Sequence, residues 1–183
     1  LGTLLTPAAR HRPWDLASKV ASVDRLSGGR VTLGVGLGAL HGNWLAFEAD
    51  EGRAVRARKL DEVLDVYAGL MGGQPFSYTG EYFSASPVTE LVPPPPVQTP
   101  HPPVWCVGLM VPSRSRQRSL ERAARWQGVF PAIAGGSLEN PGSQLTPPAL
   151  RELVERLGAL RAEAGQTMQG YDVVVEGDSH GEF

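Results

Sequence analysis

Three residues of one turn, Gly36, Leu37 and Gly38, combine small size with a position directly after an apolar run. The run Val31–Val35 is rich in β-branched residues and too short for a core helix, which predicts a buried strand. The two glycines would let the backbone come close to a planar ring or a phosphate group. Turn geometry alone is the alternative explanation, and the sequence leaves it open.

A second turn places hydroxyls and positive charge between an apolar run and a predicted helix. Backbone N–H groups at a helix N-terminus favour an anion, and serine hydroxyls and a guanidinium would add to that preference. Either of the two serines is expected to cap the helix. A solvated basic helix start is the alternative. The residues of this turn are Pro112, Ser113, Arg114 and Ser115.

Other kinds of site are not indicated by the sequence. The single cysteine, Cys106, lies inside an apolar run and is expected to be a core residue. No Ser–His–Asp order, no P-loop and no convincing acid–base pair is visible, so the catalytic residues are unknown. The histidines lack the spacing of metal ligands, which predicts no metal site. They are His11, His41, His101 and His180.

The bulk composition predicts a soluble, globular chain. Its 183 residues are 42% hydrophobic and 20% charged, which suits one domain with a sizeable core. A formal net charge of −2 gives no case for a nucleic-acid or membrane partner. No apolar run is long enough to span a membrane, and no signal-peptide pattern is present. One cysteine fits a reducing compartment, so we expect a cytoplasmic protein.

Strand and helix patterns alternate along the chain. Apolar runs predict strands at about residues 2–6, 31–36, 104–108, 128–132 and 171–175, and a small hairpin at Phe76–Phe83. We expect the five strands to be parallel neighbours in chain order, with helices outside them. The proline-rich stretch before Val104 is interpreted as a loop within one domain that covers residues 1–183, rather than as a linker.

The predicted helices have recognisable ends and apolar stripes. The first begins near Pro13 and stops at Gly28. A second covers about residues 53–71, and Thr146 is expected to cap a last one. The stripe of the first helix is expected to be Leu16, Val20, Val23 and Leu26.

Several short motifs, taken in order, resemble the luciferase-like monooxygenases, a superfamily of bacterial luciferase-like flavin and deazaflavin oxidoreductases. The resemblance covers residues 1–134 and a later strand, YDVVVEG, at Tyr171–Gly177. The motifs are Gly2-Thr3, Arg12-Pro13, DRLSGGR and GVGLG within Asp24–Gly38, RxRKLDE at Arg56–Glu62, PPVW at Pro102–Trp105 and RAARWQG at Arg122–Gly128.

The resemblance implies an α/β fold of the (β/α)8, or TIM-barrel, type. A complete barrel typically needs about 250 residues. The chain is therefore expected to be an incomplete barrel that runs from the third strand to the seventh, without the first two strands and the last. In the F420-using branch of this family, which the chain resembles more closely, catalytic groups commonly lie on the first two strands, and that is where we expect them.

The resemblance also implies a cofactor, coenzyme F420 or FMN, and places where it binds. Family members often carry a non-prolyl cis peptide at the position of Leu4 and Leu5, which bulges toward the central ring of the cofactor. Gly36, Leu37 and Gly38 would contact the cofactor, although some relatives carry a phosphate-binding arginine at the position of Leu37. The turn from Pro112 through Ser113 and Arg114 to Ser115 would bind the cofactor phosphate.

The expected function is that of a flavin- or F420-dependent oxidoreductase acting on a small organic molecule. The expected partners are that substrate, a flavin reductase or an F420 reductant, and further copies of the chain in a homo-oligomer. The alternative is a non-catalytic flavin-binding or truncated relative without a complete active site. Residues 1–183 alone are expected to show no turnover.

Overall fold

Helices and strands alternate along the computed structural model, which describes residues 1–38, 40, 43–73, 75–89, 94–135 and 144–176. The chain forms two compact units, Leu1–Pro103 and Val104–Phe183. Two of the histidines for which no metal role is predicted, His41 and His180, lie outside the described residues. None of the described helices is both long and apolar enough to cross a membrane.

The first unit contains two parallel strands, β1 (Thr6–Pro7) and β2 (Leu33–Gly36). Thr6 pairs with Val35 and Pro7 pairs with Gly36. Strand β2 is buried along its whole length, as its apolar sequence predicts. The predicted strand at residues 31–36 and its parallel pairing are therefore confirmed.

The apolar run at the start of the chain differs from the prediction. Only a single bridge, from Gly2 to Thr32, precedes the short strand β1. Leu1 is 76% exposed and Leu4 is 65% exposed. The prediction of a buried strand at residues 2–6 is wrong here, because no described part of this unit covers those side chains.

Helix α1 (Pro13–Ser27) follows β1, and its ends are where the sequence predicts them. Pro13 occupies the first turn, and Gly28 ends the helix with a left-handed backbone, φ 67°. Only half of the predicted apolar stripe is buried, since Val23 is 36% exposed and Leu26 is 89% exposed. The buried face of the helix instead includes the small side chains Ala17 and Ala21 and one carboxylate, that of Asp24. The buried residues after Pro13 are Leu16, Ala17, Val20, Ala21 and Asp24.

Helix α2 (Arg53–Met71) follows and packs against α1. An antiparallel hairpin comes next, made of β3 (Phe76–Thr79) and β4 (Ser84–Val88). The prediction of a hairpin is confirmed, but its second strand lies beyond the predicted range Phe76–Phe83, whose last residues form the turn. The carboxylate of Glu62 on α2 accepts hydrogen bonds from the backbone N–H groups of the connecting turn, at 2.7–3.0 Å. These donors belong to Glu81, Tyr82 and Phe83.

The second unit contains three parallel strands. They are β5 (Val104–Met110), β6 (Gly128–Ile133) and β7 (Asp172–Val173), paired β5 to β6 and β6 to β7. Every second residue of β5 is buried, among them Cys106, which is fully buried as predicted for a core residue. The parallel strands predicted near residues 104, 128 and 171 are confirmed.

Two helices belong to the second unit. Helix α3 (Arg118–Ala124) packs against β5, and helix α4 (Pro147–Glu163) packs against α3. The Thr146 hydroxyl accepts a hydrogen bond from the N–H of Ala149, so the predicted cap of α4 is confirmed. Each unit therefore has the parallel strands and covering helices of an α/β fold, as the sequence predicts.

Candidate functional site

One extra residue lies in the chain just before β1. Gly2 pairs with Thr32 and Thr6 pairs with Val35, so four steps along one strand match three along the other. The Thr3 hydroxyl fills part of the gap, donating to the carbonyl of Gly34 at 3.0 Å and accepting from its N–H at 3.1 Å. This is a bulge of the kind that often lies next to active sites.

The bulge contains Leu4 and Leu5, the residues for which the resemblance implies a cofactor contact. The peptide bond between them is cis, which confirms that part of the expectation. Leu5 is 40% exposed, and Leu4 more so. Two accessible apolar side chains beside an irregular backbone suit contact with a planar ring, and that contact stays a prediction.

Gly38 follows the end of β2 and lies against the turn that follows β1. Its φ is +81°, a conformation that residues with side chains adopt at a cost. A Cβ at this position would lie on the guanidinium of Arg10 and 3.0 Å from the Cβ of Pro7. Close approach of Arg10 therefore explains the glycine at position 38, and the predicted contacts of Gly36, Leu37 and Gly38 with a cofactor stay predictions.

Arg10 ends a 3₁₀ turn, Ala8–Arg10, directly after β1. Its side chain is only 8% exposed and pairs with Glu48. Its guanidinium lies 4.5 Å from the ring centre of Trp44, a cation–π distance. A buried guanidinium held by a carboxylate and an indole fixes the loop after β2 against the end of β1.

A cavity of about 360 Å³ opens beside Arg10, within the first unit. Basic side chains from two parts of the chain line it: Arg10, His11 and Arg12 before α1, and Arg56 and Lys59 on α2. An apolar part of the wall is formed by Leu40, Leu45 and Phe83. Its volume lies within the range typical of small-molecule sites, which is about 300–1,000 Å³.

Three carboxylates of the segment Glu48–Glu51 also line the cavity, and each is paired with a basic side chain. Glu48 pairs with Arg10, Asp50 with Arg56, and Glu51 with Lys59 at 2.5 Å. The segment is therefore fastened to the turn after β1 and to α2. It forms one wall of the cavity.

His11, at the wall of this cavity, has a lowered pKa. Partial burial lowers its pKa from the ordinary value of 6.5, and the charge of Lys19 lowers it further. Asp15 acts in the opposite direction and is the weaker influence. The ring is therefore more readily neutral than a histidine in water.

The turn after β5 is organised by one buried side chain, that of Gln117. Its amide accepts from the N–H of Val111 at 3.0 Å and donates to the carbonyls of Val111 and Arg114. Helix α3 begins only at Arg118, with Gln117 at the cap position and no side-chain cap. The prediction that Ser113 or Ser115 caps this helix is therefore wrong, because the Gln117 amide bonds close the turn before the helix begins.

The predicted phosphate-binding residues lie on the exposed part of that turn. Pro112, Ser113, Arg114 and Ser115 are all exposed. Two hydroxyls and one guanidinium are thus accessible to an anion, although α3 has only seven residues and adds little as a dipole. Phosphate binding by these residues stays a prediction.

Sequence reasoning missed the charged cavity. The sequence predicts no site role for Arg10, Arg56 or Lys59, which line it. The signal that was present is the acidic run Glu48–Glu51 ahead of a basic helix start. Within the described ranges, no three His, Cys, Asp or Glu side chains form a cluster that would hold a metal ion.

Comparison with known proteins identifies relatives of the chain. It is 31% identical over 157 residues to an uncharacterised protein of Mycobacterium bovis, a match that covers 85% of this chain and 46% of that protein. It is 35% identical over 91 residues to the F420-dependent glucose-6-phosphate dehydrogenase of Microbacterium testaceum, covering 49% of this chain and 27% of the relative. The chain spans about half the length, or less, of these curated relatives.

Solved structures share the fold. The monooxygenase RslO1 from Streptomyces bottropensis superposes with a TM-score of 0.69 and 24% identity, over 91% of this chain and 46% of that one. The oxygenating constituent of 3,6-diketocamphane monooxygenase from Pseudomonas putida, solved with FMN, gives a TM-score of 0.66 and 19% identity, over 91% and 44%. These likenesses confirm the fold class implied by the sequence.

The sequence profile of the luciferase-like monooxygenases matches residues 1–179, nearly the whole chain. The bulge before β1, the glycine-ended β2 and the parallel strands of both units agree with that match. The chain belongs to the luciferase-like monooxygenase family.

Proposed function

We propose that the protein is an oxidoreductase that uses FMN or F420 to act on a small organic substrate. The observation that carries the proposal is the bulge at Leu4–Leu5, with its accessible apolar side chains, in a chain of this family. One relative is named as an F420-dependent dehydrogenase and one similar structure contains FMN, which supports either cofactor.

In each unit, taken by itself, residues suit one part of such a cofactor. Leu4 and Leu5 would contact the planar ring system, which needs an apolar surface. Ser113 and Arg114 would bind an anionic tail, since both are exposed on a turn fixed by Gln117. Gly36 and Leu37 would lie beside the cofactor without contributing charge.

When bound, the cofactor supplies the redox chemistry, either oxygen activation by reduced flavin or hydride transfer by the deazaflavin. The protein's part is to hold the ring and to exclude water from the reacting face. Leu4 and Leu5 would do the latter with their side chains. The electron donor would be a flavin reductase in the first case and an F420 reductant in the second.

The non-catalytic alternative is less well supported. The relatives with stated activities are enzymes, and nothing in the described residues of this chain blocks the surface around Leu4 and Leu5. The cytoplasmic location, the homo-oligomer and the single domain over residues 1–183 remain proposals that rest on the sequence alone.

A turnover assay with the full-length protein tests the proposed function. Reduced FMN with oxygen is supplied with a panel of small organic compounds; without oxygen, reduced F420 is supplied with carbonyl compounds and oxidised F420 with alcohols. The expected result is an oxygenated product with FMN, or reduction of a carbonyl compound or oxidation of an alcohol with F420, that depends on both protein and substrate. If no compound of the panel is converted above the protein-free rate with either cofactor, the proposal fails.

A further inference from the structure

The cavity beside Arg10 carries one more positive charge than its acidic residues balance. Apart from His11, four basic groups line it, on Arg10, Arg12, Arg56 and Lys59, against three carboxylates. The three carboxylates are paired with Arg10, Arg56 and Lys59. None of them is paired with Arg12. Across the described ranges, no ion pair or hydrogen bond is found for the guanidinium of Arg12, which is an exposed residue at the cavity wall.

A buried hydrogen-bond donor also lines the same cavity. The Nε of Arg56 is buried, and it has no hydrogen-bond partner among the described residues, although Nη1 of the same side chain pairs with Asp50. The Arg56 side chain is only 12% exposed. Buried donors in native proteins nearly always have an acceptor, so we expect an acceptor for this N–H group.

The rest of the cavity wall suits an apolar body. Leu40 and Leu45 come from the loop after β2, and Phe83 comes from the hairpin turn held by Glu62. Arg12 also precedes the first turn of α1, where the early N–H groups carry no side-chain cap. The cavity thus combines an apolar wall with an uncompensated guanidinium and an unsatisfied buried N–H.

We propose that this cavity binds a small organic monocarboxylate. Its carboxylate would accept hydrogen bonds from Arg56 Nε and from the Arg12 guanidinium, and its apolar body would lie against Leu45 and Phe83. A single negative charge neutralises the surplus, whereas the dianion of a phosphate monoester would exceed it by one. Calling this ligand a substrate rests on the proposed function, but its binding does not.

A matched pair of probes tests the charge requirement, namely 1-naphthaleneacetate and its neutral amide. Calorimetric titration of the full-length protein at physiological salt, without FMN or F420, gives both affinities. The carboxylate is expected to bind with a dissociation constant below about 1 mM and about tenfold tighter than the amide. 1-Naphthyl phosphate is expected to bind no tighter than the carboxylate.

Four variants test the assignment. Arg12→Gln is expected to reduce the preference for carboxylate over amide to within about twofold, and Arg12→Lys to retain it. Arg56→Lys keeps the charge and the pair with Asp50 but removes the Nε donor, so carboxylate affinity should fall several-fold. Arg53→Gln, an exposed arginine of α2 outside the cavity wall, should change nothing.

The outcomes that overturn the proposal are distinct from a failure of the proposed function. They are the absence of saturable carboxylate binding, equal affinities for acid and amide, a preference that survives Arg12→Gln, and an equal loss in Arg53→Gln. A protein that binds FMN or F420 but shows any of these lacks the site. A protein that binds the carboxylate but neither cofactor has the site without the proposed function.

Discussion

Gly38 lies against the guanidinium of Arg10, in a backbone conformation that only glycine adopts easily. The φ of Gly38 is +81°, and an added Cβ would meet Arg10 and Pro7. Arg10 in turn holds Glu48 and the indole of Trp44. The end of β1 and the loop after β2 are therefore packed against each other, and the shape of the cavity beside them depends on that packing.

Replacing Gly38 by alanine should destabilise the protein more than the same change at Gly28. Both glycines have positive φ, which costs alanine about 1–2 kcal/mol. Gly28 has no atom within 4 Å of an added Cβ, so only that cost applies there. At Gly38 the displaced Arg10 should add at least about 1 kcal/mol.

Urea denaturation of the two variants gives the comparison. Gly28→Ala serves as the control for backbone strain, since it lacks the steric contact. Equal losses of unfolding free energy would show that Arg10 moves aside without cost, and that the packing at the end of β1 is loose.

Asp24 is a second site where a single substitution should be severe. Its buried carboxylate accepts from the N–H groups of Val97 and Gln98 and from the Gln98 amide, at 2.6–3.0 Å. Asp24→Ala leaves these donors without an acceptor and should cost about 3 kcal/mol or more of unfolding free energy. In a Gln98→Ala background the loss should be smaller but still substantial, because the two backbone donors remain.

Asp24→Asn is expected to be intermediate. The new amide would place a donor against the Gln98 Nε2, which already donates to the carbonyl of Val31 at 2.8 Å. Denaturation of the single and double variants forms a double-mutant cycle. A loss of less than about 1 kcal/mol for Asp24→Ala would mean that water replaces the carboxylate at little cost.

Two buried tyrosines predict the alkaline behaviour. The hydroxyl of Tyr67 donates to the carbonyl of Pro102 at 3.3 Å, and that of Tyr171 to the carbonyl of Ala123 at 2.9 Å. Burial raises the pKa of both phenols, with smaller contributions from neighbouring charges. Above about pH 10 the unfolded chain loses these protons and the folded chain keeps them, so stability falls as the pH rises.

Tyr67→Phe and Tyr171→Phe should therefore each flatten the alkaline part of the stability profile. At neutral pH each should cost about 1 kcal/mol, with the larger loss at Tyr171 because its hydrogen bond is shorter. Thermal unfolding between neutral pH and about pH 11 measures both effects. Variants that lose stability above pH 10 as steeply as the parent protein would show that these phenols ionise freely in the folded state.

His11 should titrate below the usual midpoint of a histidine. Partial burial and Lys19 lower its pKa, while Asp15 raises it. Proton NMR of the imidazole should give a midpoint below about 6.5, with Lys19→Gln raising it and Asp15→Asn lowering it further. Because the neutral form is favoured on folding, this group removes stability as the pH falls below about 6.5.

The two side-chain variants check one another in the same experiment. A midpoint at or above 6.5 would contradict the lowering of the His11 pKa by burial. A shift of the same sign in both variants would mean that the charges of Lys19 and Asp15 do not act on His11 in opposite directions.

Apart from the first, the parallel strands could be predicted because their apolar runs are local signals. Val31–Val35 and Val104–Val107 are continuous, short and followed by glycine, and the structure buries most of their side chains. The hairpin and the ends of α1 follow in the same way from residues close in sequence.

The errors concern contacts between distant parts of the chain. The stripe of α1 was misplaced because Asp24 is buried by partners more than seventy residues away. The start of α3 was misplaced because the side chain of Gln117 turns back on Val111. The pairing of Arg10 with Glu48, 38 residues apart, leaves no periodic trace in the sequence.

Binding of FMN and F420 to the full-length protein tests the central claim most directly. Fluorescence titration should show saturable binding of one cofactor. Ser113→Asp, which adds a carboxylate to the exposed turn, should weaken it about tenfold, or about 1.4 kcal/mol. Ser18→Asp, at an exposed site on α1, should leave the dissociation constant unchanged. Failure of both cofactors to bind, or equal effects of the two variants, would contradict the account.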